Sequence, residues 1–417
     1  MSRDDFVTGI DIGTTKICTV VGRPLEGGSL DIIGVGLHPS AGLKRGIVVD
    51  RQLTIDSVRQ SVEQAQRMAN VEIKGAYVGI SGDHINSTNV TGRVHTGPHN
   101  EVTAEDVEKA IQSARDSVSL PSDREIIHTV VREFAVDGQP GVSRPIGMSG
   151  RRLDVEVHVV TGMASIIANL ERCVQDAGVA VQAQVLEPLA TSLAVLTEAE
   201  RDLGVILVDI GGGTTDIAVF LDNAIYHTSA IPVAGNQVTR DLAKLLRVSM
   251  EEAESVKVCW GRALAASVPG DEQITITSAD GEHREKVPQR LVSEVIQSRL
   301  EEIFEMVWAD VKRAGAGELC SGGVVISGGG SQLPDTAKLA SAVMGDLSVR
   351  VGKPRGLTGL VKSVSSPIHA TGVGLAVQAA IDGAHLREHE PENLVARVKT
   401  WVQMIMGRVL PHPQTPS

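Results

Sequence analysis

The chain has 417 residues, 42% of them apolar and 22% charged, long enough for two or three globular domains and too apolar to be disordered. Asp and Glu outnumber Lys and Arg by 51 to 39, a net charge of −12 that opposes sequence-independent contact with nucleic acid, and three Trp, two Tyr and four Phe are too few for a base-stacking platform. Cys18, Cys173, Cys259 and Cys320 stand far apart with no C-x-x-C pair, Met1 to Asp5 is polar, and no run of about 18 apolar residues occurs, so the expectation is a cytoplasmic protein with no secretory signal and no ordinary transmembrane helix.

In chain order, a strand at 6–10 leads into Asp11-Ile-Gly-Thr-Thr-Lys16 and a second strand at 17–21. The pattern then predicts a helix over 53–69 and a strand over 75–81. From 84 to 161 it changes to a small α+β module. There a helix begins at Thr103, where Thr-Ala-Glu-Asp106 resembles a capping box, strands run over 126–136 and 153–160, and a Pro/Gly-rich loop spans 137–150. Helices are expected at 164–176 and 188–200. A strand at 204–208 then delivers Asp209-Ile-Gly-Gly-Gly-Thr-Thr-Asp216, followed by a strand at 217–220, helices at 237–246 and 250–265, a strand at 274–278 and a helix at 291–314. The strand 324–326 runs into Ser327-Gly-Gly-Gly330, and a helix over 370–382 precedes a polar stretch at 385–390.

The two D-I-G…T-T motifs lie too far apart for a solenoid repeat and read as two related domains. The expected class is α/β, with two related domains. Residues 1–83 and 162–195 form the first domain, 84–161 the inserted module, and 196–366 the second domain with its own subdomain at about 236–315. A return helix at 367–384, a linker at 385–392, an amphipathic helix at 393–410 and a tail at 411–417 complete the chain.

A strand-turn-strand with glycines and Thr-Thr aims backbone N–H groups and hydroxyls at one point, which suits phosphate oxygens. Either turn alone is explained by ordinary hairpin geometry. Two with one frame can clamp a triphosphate from both sides: Gly13, Thr14, Thr15 and Lys16 on one side, Gly211, Gly212, Gly213, Thr214 and Thr215 on the other, with Asp11 and Asp209 holding Mg²⁺ through water. Gly328, Gly329 and Gly330 would let a base or ribose lie against bare backbone. Glu254 and Lys257, three apart on one helix face, read equally as ribose ligands or as a solvated ion pair. No G-x-x-x-x-G-K-[ST] or G-x-G-x-x-G occurs in the right setting, Ser327 does not sit in a nucleophile elbow, and His385 with His389 lacks a third metal ligand.

These three motifs resemble the phosphate loops and adenosine motif of the actin, Hsp70 and sugar-kinase superfamily. Within it, Ala76-Tyr-Val-Gly-Ile-Ser-Gly-Asp-His-Ile85, Pro121-Ser-Asp-Arg-Glu-Ile-Ile-His128, Pro145-Ile-Gly-Met-Ser-Gly150 and Arg152-Leu-Asp-Val-Glu-Val-His158 resemble the FtsA family of bacterial division proteins, over about 6–382. The resemblance implies ATP and Mg²⁺ as cofactors and at most a slow ATPase, with Glu187 at the position where relatives orient the attacking water. It implies as partners the ring protein FtsZ, other copies of the chain in a homopolymer, later division proteins and anionic lipids, with no nucleic acid. The implied location is the cytoplasmic side of the inner membrane at the division site. A metabolic kinase of the same fold, acting on a small molecule, is the alternative. An Hsp70-like chaperone would need a large substrate domain after 382.

At about 100° per residue, Leu394, Val395, Val398, Trp401, Val402, Ile405, Met406 and Val409 share one face of a helix. Arg397 and Arg408 flank one edge and Lys399 the other, while Glu392 is the only acid from Pro391 onward. An apolar face with basic flanks suits a membrane interface, where aliphatic stems snorkel and charges meet anionic headgroups. Amphipathicity alone equally suits packing on the protein's own surface.

Overall fold

The computed structural model describes residues 6–25 and 29–388. The chain opens with β1 (Val7–Ile12), β2 (Lys16–Pro24) and β3 (Leu30–Pro39), an antiparallel meander, followed by a two-residue pair, β4 (Leu43–Lys44) and β5 (Ile47–Val48). Helix α1 (Arg51–Ala69) begins two residues before the apolar pattern does, because the Asp50 side chain caps it by accepting from the Leu53 N–H at 3.1 Å. Strand β6 (Gly75–Ile80) returns parallel to β1. β1 is buried along nearly its whole length, as expected of a strand covered on both faces.

The inserted module has β7 (Asn86–His95), α2 (Ala104–Asp116), β8 (Arg124–Val136), β9 (Gln139–Val142) and β10 (Arg152–Met163) in one antiparallel sheet ordered β7-β10-β8-β9. Thr103 and Asp106 form the expected capping box on α2. The stretch 137–150 is not loop throughout. Asp137 and Gly138, both at positive φ, make a tight turn between β8 and β9, and Asp-Gly is the residue pair such hairpins favour.

The chain re-enters the first domain with α3 (Ala164–Asp176) and β11 (Ala180–Leu186), the latter parallel to β6. The single helix expected over 188–200 is two: α4 (Glu187–Val195) and α5 (Glu198–Leu203). Leu196 is extended, and Thr197 with Glu200 forms a second capping box that restarts the helix.

The second domain repeats the first domain's plan. Strands β12 (Val205–Ile210), β13 (Thr215–Leu221) and β14 (Ala224–Ile231) form an antiparallel meander, and after α6 (Gly235–Leu246) and α7 (Met250–Trp260) come the hairpin β15 (Gln273–Thr277) and β16 (Arg284–Pro288) and the long α8 (Gln289–Arg313). β17 (Val324–Ser327) lies parallel to β12 and, after α9 (Thr336–Val343), β18 (Val349–Val351) parallel to β17. The helix expected over 250–265 stops at Trp260. Gly261 is extended there, and the Ala263 N–H donates to the Pro334 carbonyl at 2.9 Å.

β19 (Leu357–Gly359) crosses back to pair with β3, a short α10 (Val361–Val364) follows, and α11 (Ala370–Glu388) packs on β1. α11 runs through the first four residues of the stretch read as a linker at 385–392. The amphipathic segment 393–410 and the tail 411–417 lie outside the described residues.

Helices α4 and α11 cross where the two domains join. A Cβ on Gly374 would lie 1.8 Å from the Ala190 carbonyl oxygen, so only glycine permits this approach. Beneath the crossing, Val20 and Leu30 of the first domain share one core with Val205 and Leu207 of the second. Gly374→Val should therefore lower stability by about 2–3 kcal/mol, read from the urea midpoint, whereas the same change at Gly383, which has open space around it, should be much milder.

Candidate functional site

The glycine turns of the two meanders meet beside a cavity of about 490 Å³ that both of them line. The Gly13 N–H donates to the Lys16 carbonyl at 3.0 Å, and the Gly211 N–H donates to the Thr214 carbonyl at the same distance. This shared closure leaves Thr14 and Thr15 at one tip and Gly212 and Gly213 at the other. Among the described residues no hydrogen bond engages the N–H groups of those four. The tips interleave: a Cβ on Gly212 would meet Thr15 Cγ2 at 2.2 Å, and one on Gly213 would meet Thr14 Oγ1 at 2.6 Å.

Asp11, Gly13, Thr14, Thr15, Lys16, Glu187, Asp209, Gly211, Gly212, Gly213 and Thr214 all line the cavity, as do Glu254, Lys257, Gly328, Gly329 and Gly330. Thr215 is not in the lining; it is fully buried and its hydroxyl donates to the Val233 carbonyl at 2.8 Å, closing the base of the turn. The Ser327 turn divides its labour. A Cβ on Gly328, which has φ 77°, would lie 2.2 Å from Asp209 Oδ1, and one on Gly330 would lie 2.4 Å from Ile210 Cγ2, so these glycines let the turn pack on the end of β12. Gly329 has an open side, with Ile368 Cγ2 at 3.9 Å the nearest atom. Glu254 and Lys257 are both an ion pair, at 2.6 Å, and part of the cavity wall. Lys257 also donates to Thr239 Oγ1 at 2.9 Å and, more weakly, to the Gly235 carbonyl at 3.3 Å, which holds it against the start of α6.

The family described as cell division protein FtsA matches residues 206–374, and the SHS2 domain inserted in FtsA matches 82–161. The chain is 39% identical over 409 residues to the cell division protein FtsA of Pseudomonas aeruginosa, covering 95% of this chain and 97% of that one. Against the protein of the same description from Escherichia coli K12 the identity is 34% over 407 residues, covering 96% of each. The chain belongs to the FtsA family. It is a cell-division protein with an actin-like fold. Among solved structures the fold is similar to the PilM-PilN type IV pilus biogenesis complex (TM-score 0.64, 16% identity, 91% of this chain and 99% of that one). It is similar also to MreB5 of Spiroplasma citri bound to ADP (TM-score 0.58, 15% identity, 93% and 100%).

In this FtsA-family chain the cavity wall concentrates four buried or nearly buried carboxylates: Asp11 on β1, Glu187 at the start of α4, Asp209 on β12 and Asp216 on β13. Burial raises the proton affinity of Glu187 well above the carboxylate range, and the charges of Asp11 and Asp216 add to it. The Ser81 hydroxyl, donating to Glu187 Oε2 at 2.8 Å, opposes this in part. Burial, then Asp209, pushes Asp216 up to about 8. Asp209 is raised by burial, against donation from Thr191 at 3.0 Å. Burial disfavours the Lys16 ammonium, but Asp11 at 2.8 Å, together with Cys18 and Asp209, outweighs that and holds Lys16 above its ordinary range.

The site is short of positive charge and lined with bare backbone, which fits an anion that brings its own divalent cation. Among the described residues no three metal-ligating side chains converge enough to hold an ion alone. Asp11 and Asp209 are the lining carboxylates that could hold a hydrated cation through water.

Asp216 and Ser81 are site residues that the sequence reading left out. Asp216 was legible: it closes the second motif where Lys16 closes the first. Ser81 had no such signal, since only the parallel pairing of β6 with β1 and β11 brings it to Glu187.

Because the folded pKa values of Glu187 and Asp216 are raised, the native state retains protons that the unfolded chain has released, and this contribution to stability is lost as pH rises from the ordinary carboxylate range toward about 8. Glu187→Gln removes one such group. In nucleotide-free protein its urea midpoint, relative to the unsubstituted chain, should increase as pH rises above the ordinary carboxylate range. A difference independent of pH would mean that Glu187 does not carry this penalty.

Proposed function

We propose that the cavity binds ATP with Mg²⁺, and that the chain is the actin-like division protein that polymerises, tethers the FtsZ ring to the inner face of the cytoplasmic membrane and recruits later division proteins. The observation that carries the nucleotide reading is the interleaved pair of turns, each closed by the same hydrogen bond and each presenting unengaged N–H groups. The MreB5 structures of the same fold are bound to ADP and to AMPPNP, which supports it.

In this reading Lys16 and the backbone of Thr14, Thr15, Gly212 and Gly213 face the phosphates, while Lys257 and Glu254 face the ribose and Gly329 the base. Mg²⁺, when bound, neutralises phosphate charge and offsets the surplus of carboxylates around Asp11 and Asp209. Glu187, oriented by Ser81, orders a water near the terminal phosphate; phosphoryl transfer depends mainly on such positioning. An exposed polar face on α2 makes the inserted module a surface for other division proteins or other copies of the chain.

The membrane reading rests on the basic-flanked apolar face of 393–410 and on the family to which the chain belongs. The linker before that segment is short.

Gly212→Val drives a side chain into Thr15, and Asp209→Ala removes a carboxylate from the proposed cation shell. Each should weaken fluorescent-ATP binding by at least about tenfold, or 1.4 kcal/mol. Equal affinity in both folded variants would end the two-turn clamp. Trp401→Glu places a charge within the apolar face of the tail. Sedimentation with anionic vesicles should collapse while ATP binding persists, and undiminished sedimentation would remove the tail from the tether.

A further inference from the structure

A second cavity, of about 300 Å³, shares α4 with the first. Glu187 lines the nucleotide cavity, whereas Leu189, Ser192 and Leu193 line the second. Strands β8 and β11, the turn between β13 and β14, and α11 close it. Its apolar surface comes from Val130, Val185, Leu189, Phe220, Ile225 and Ile381. At one edge stands Asp382 of α11, which accepts from the Tyr77 hydroxyl and from Gln378 Nε2, both at 2.9 Å.

We propose that this groove receives the apolar face of the chain's own segment 393–410 whenever that face is not on a lipid surface. The proposal rests on reading 393–410 as an amphipathic helix and adds a second, competing place for it. The occupant follows from where the chain leads. α11 forms one wall of the groove, the described structure ends at Glu388 of that same helix, and 389–417 must continue from there.

Residues 389–392 are the right length for the short loop of an antiparallel helix pair. With both helices rising about 1.5 Å per residue, a segment folded back on α11 sets Lys399 level with Asp382 and Gln403 level with Gln378. Trp401 and Val402 then fall between them, opposite the α11 residues that line the groove. Lys399 would meet the carboxylate of Asp382, and an indole is a bulky, mostly apolar group suited to a cavity of this size and lining. The groove and the membrane would compete for one face. Docking therefore lowers the apparent vesicle affinity in proportion to the fraction of chains whose tail is free.

The test uses the full chain. Hydrogen exchange read by mass spectrometry, without vesicles, should find 395–406 protected in the unsubstituted protein. Ala183→Trp, which fills the groove from β11, and Ile381→Glu, which charges its wall, should each abolish that protection. Affinity for vesicles of equal parts phosphatidylglycerol and phosphatidylcholine should rise by about threefold to tenfold in either variant. Free exchange of 395–406 in the unsubstituted protein overturns the docking whatever the variants do, and leaves the membrane reading standing if the vesicles still bind. Protection that survives in a folded groove variant overturns it too, since the tail would then pack elsewhere. Protection that is lost as expected, in a chain that never binds vesicles, supports the docking and ends the membrane reading instead.

Discussion

Burying Asp11, Glu187, Asp209 and Asp216 around one cavity sets negative charges close together where little water screens them, and much of the molecule is arranged about that cost. One charge is met by Lys16 and one by the hydroxyls of Thr191 and Thr371. Among the described residues, Glu187 and Asp216 are met only by hydroxyl donors, Ser81 and Thr214. Their proton affinities rise accordingly. A fold does not retain such a site for stability, since apolar side chains in these places would cost less; its surplus charge suits a ligand that arrives with a cation.

The same constraint explains why the two domains must be held in register. Each supplies two carboxylates or their partners, and the turns interleave to within a methyl group, so a small relative shift would separate the clamp. Helices α4 and α11 provide the rigidity, crossing at Gly374 with no side chain between them, over a core drawn from both domains. α4 thus stands at the junction of three features: the cavity beside the glycine turns through Glu187, the domain crossing through Ala190, and the second groove through Leu189, Ser192 and Leu193. The inserted module is tied to the second domain as well. His158 bridges Asn89 and Thr228 at 2.7 and 2.9 Å, and burial, aided by the positive charge of neighbouring groups, lowers its proton affinity far enough to keep it neutral.

Much of this was legible in the sequence for local reasons. A glycine turn between two apolar strands, a Thr-x-x-Asp cap and a long amphipathic helix are each specified within a dozen residues, so α2, α3 and α8 lie where the pattern put them to within two residues. The failures were local too. The Asp-Gly turn into β9 was hidden among other Pro and Gly residues, and the capping box at Thr197 was passed over because apolar periodicity runs on either side of it. Strands such as β7 are mostly exposed and polar, so they carry little signal of their own. They exist because β10 pairs with them across their length.

The sequence by itself determined the two phosphate-type turns, the glycine turn after β17 and the repeated domain plan, because each depends on backbone conformations and contacts that only particular neighbouring residues allow. Tertiary structure alone decided which of those residues face the cavity. It turned the Thr215 hydroxyl away to Val233, brought Ser81 to Glu187 from a distant strand, and gave Gly328 and Gly330 a packing role beside the open face of Gly329. It also decided that α4 would border two cavities at once, which no local pattern encodes, because the surroundings of a helix are set by what crosses it.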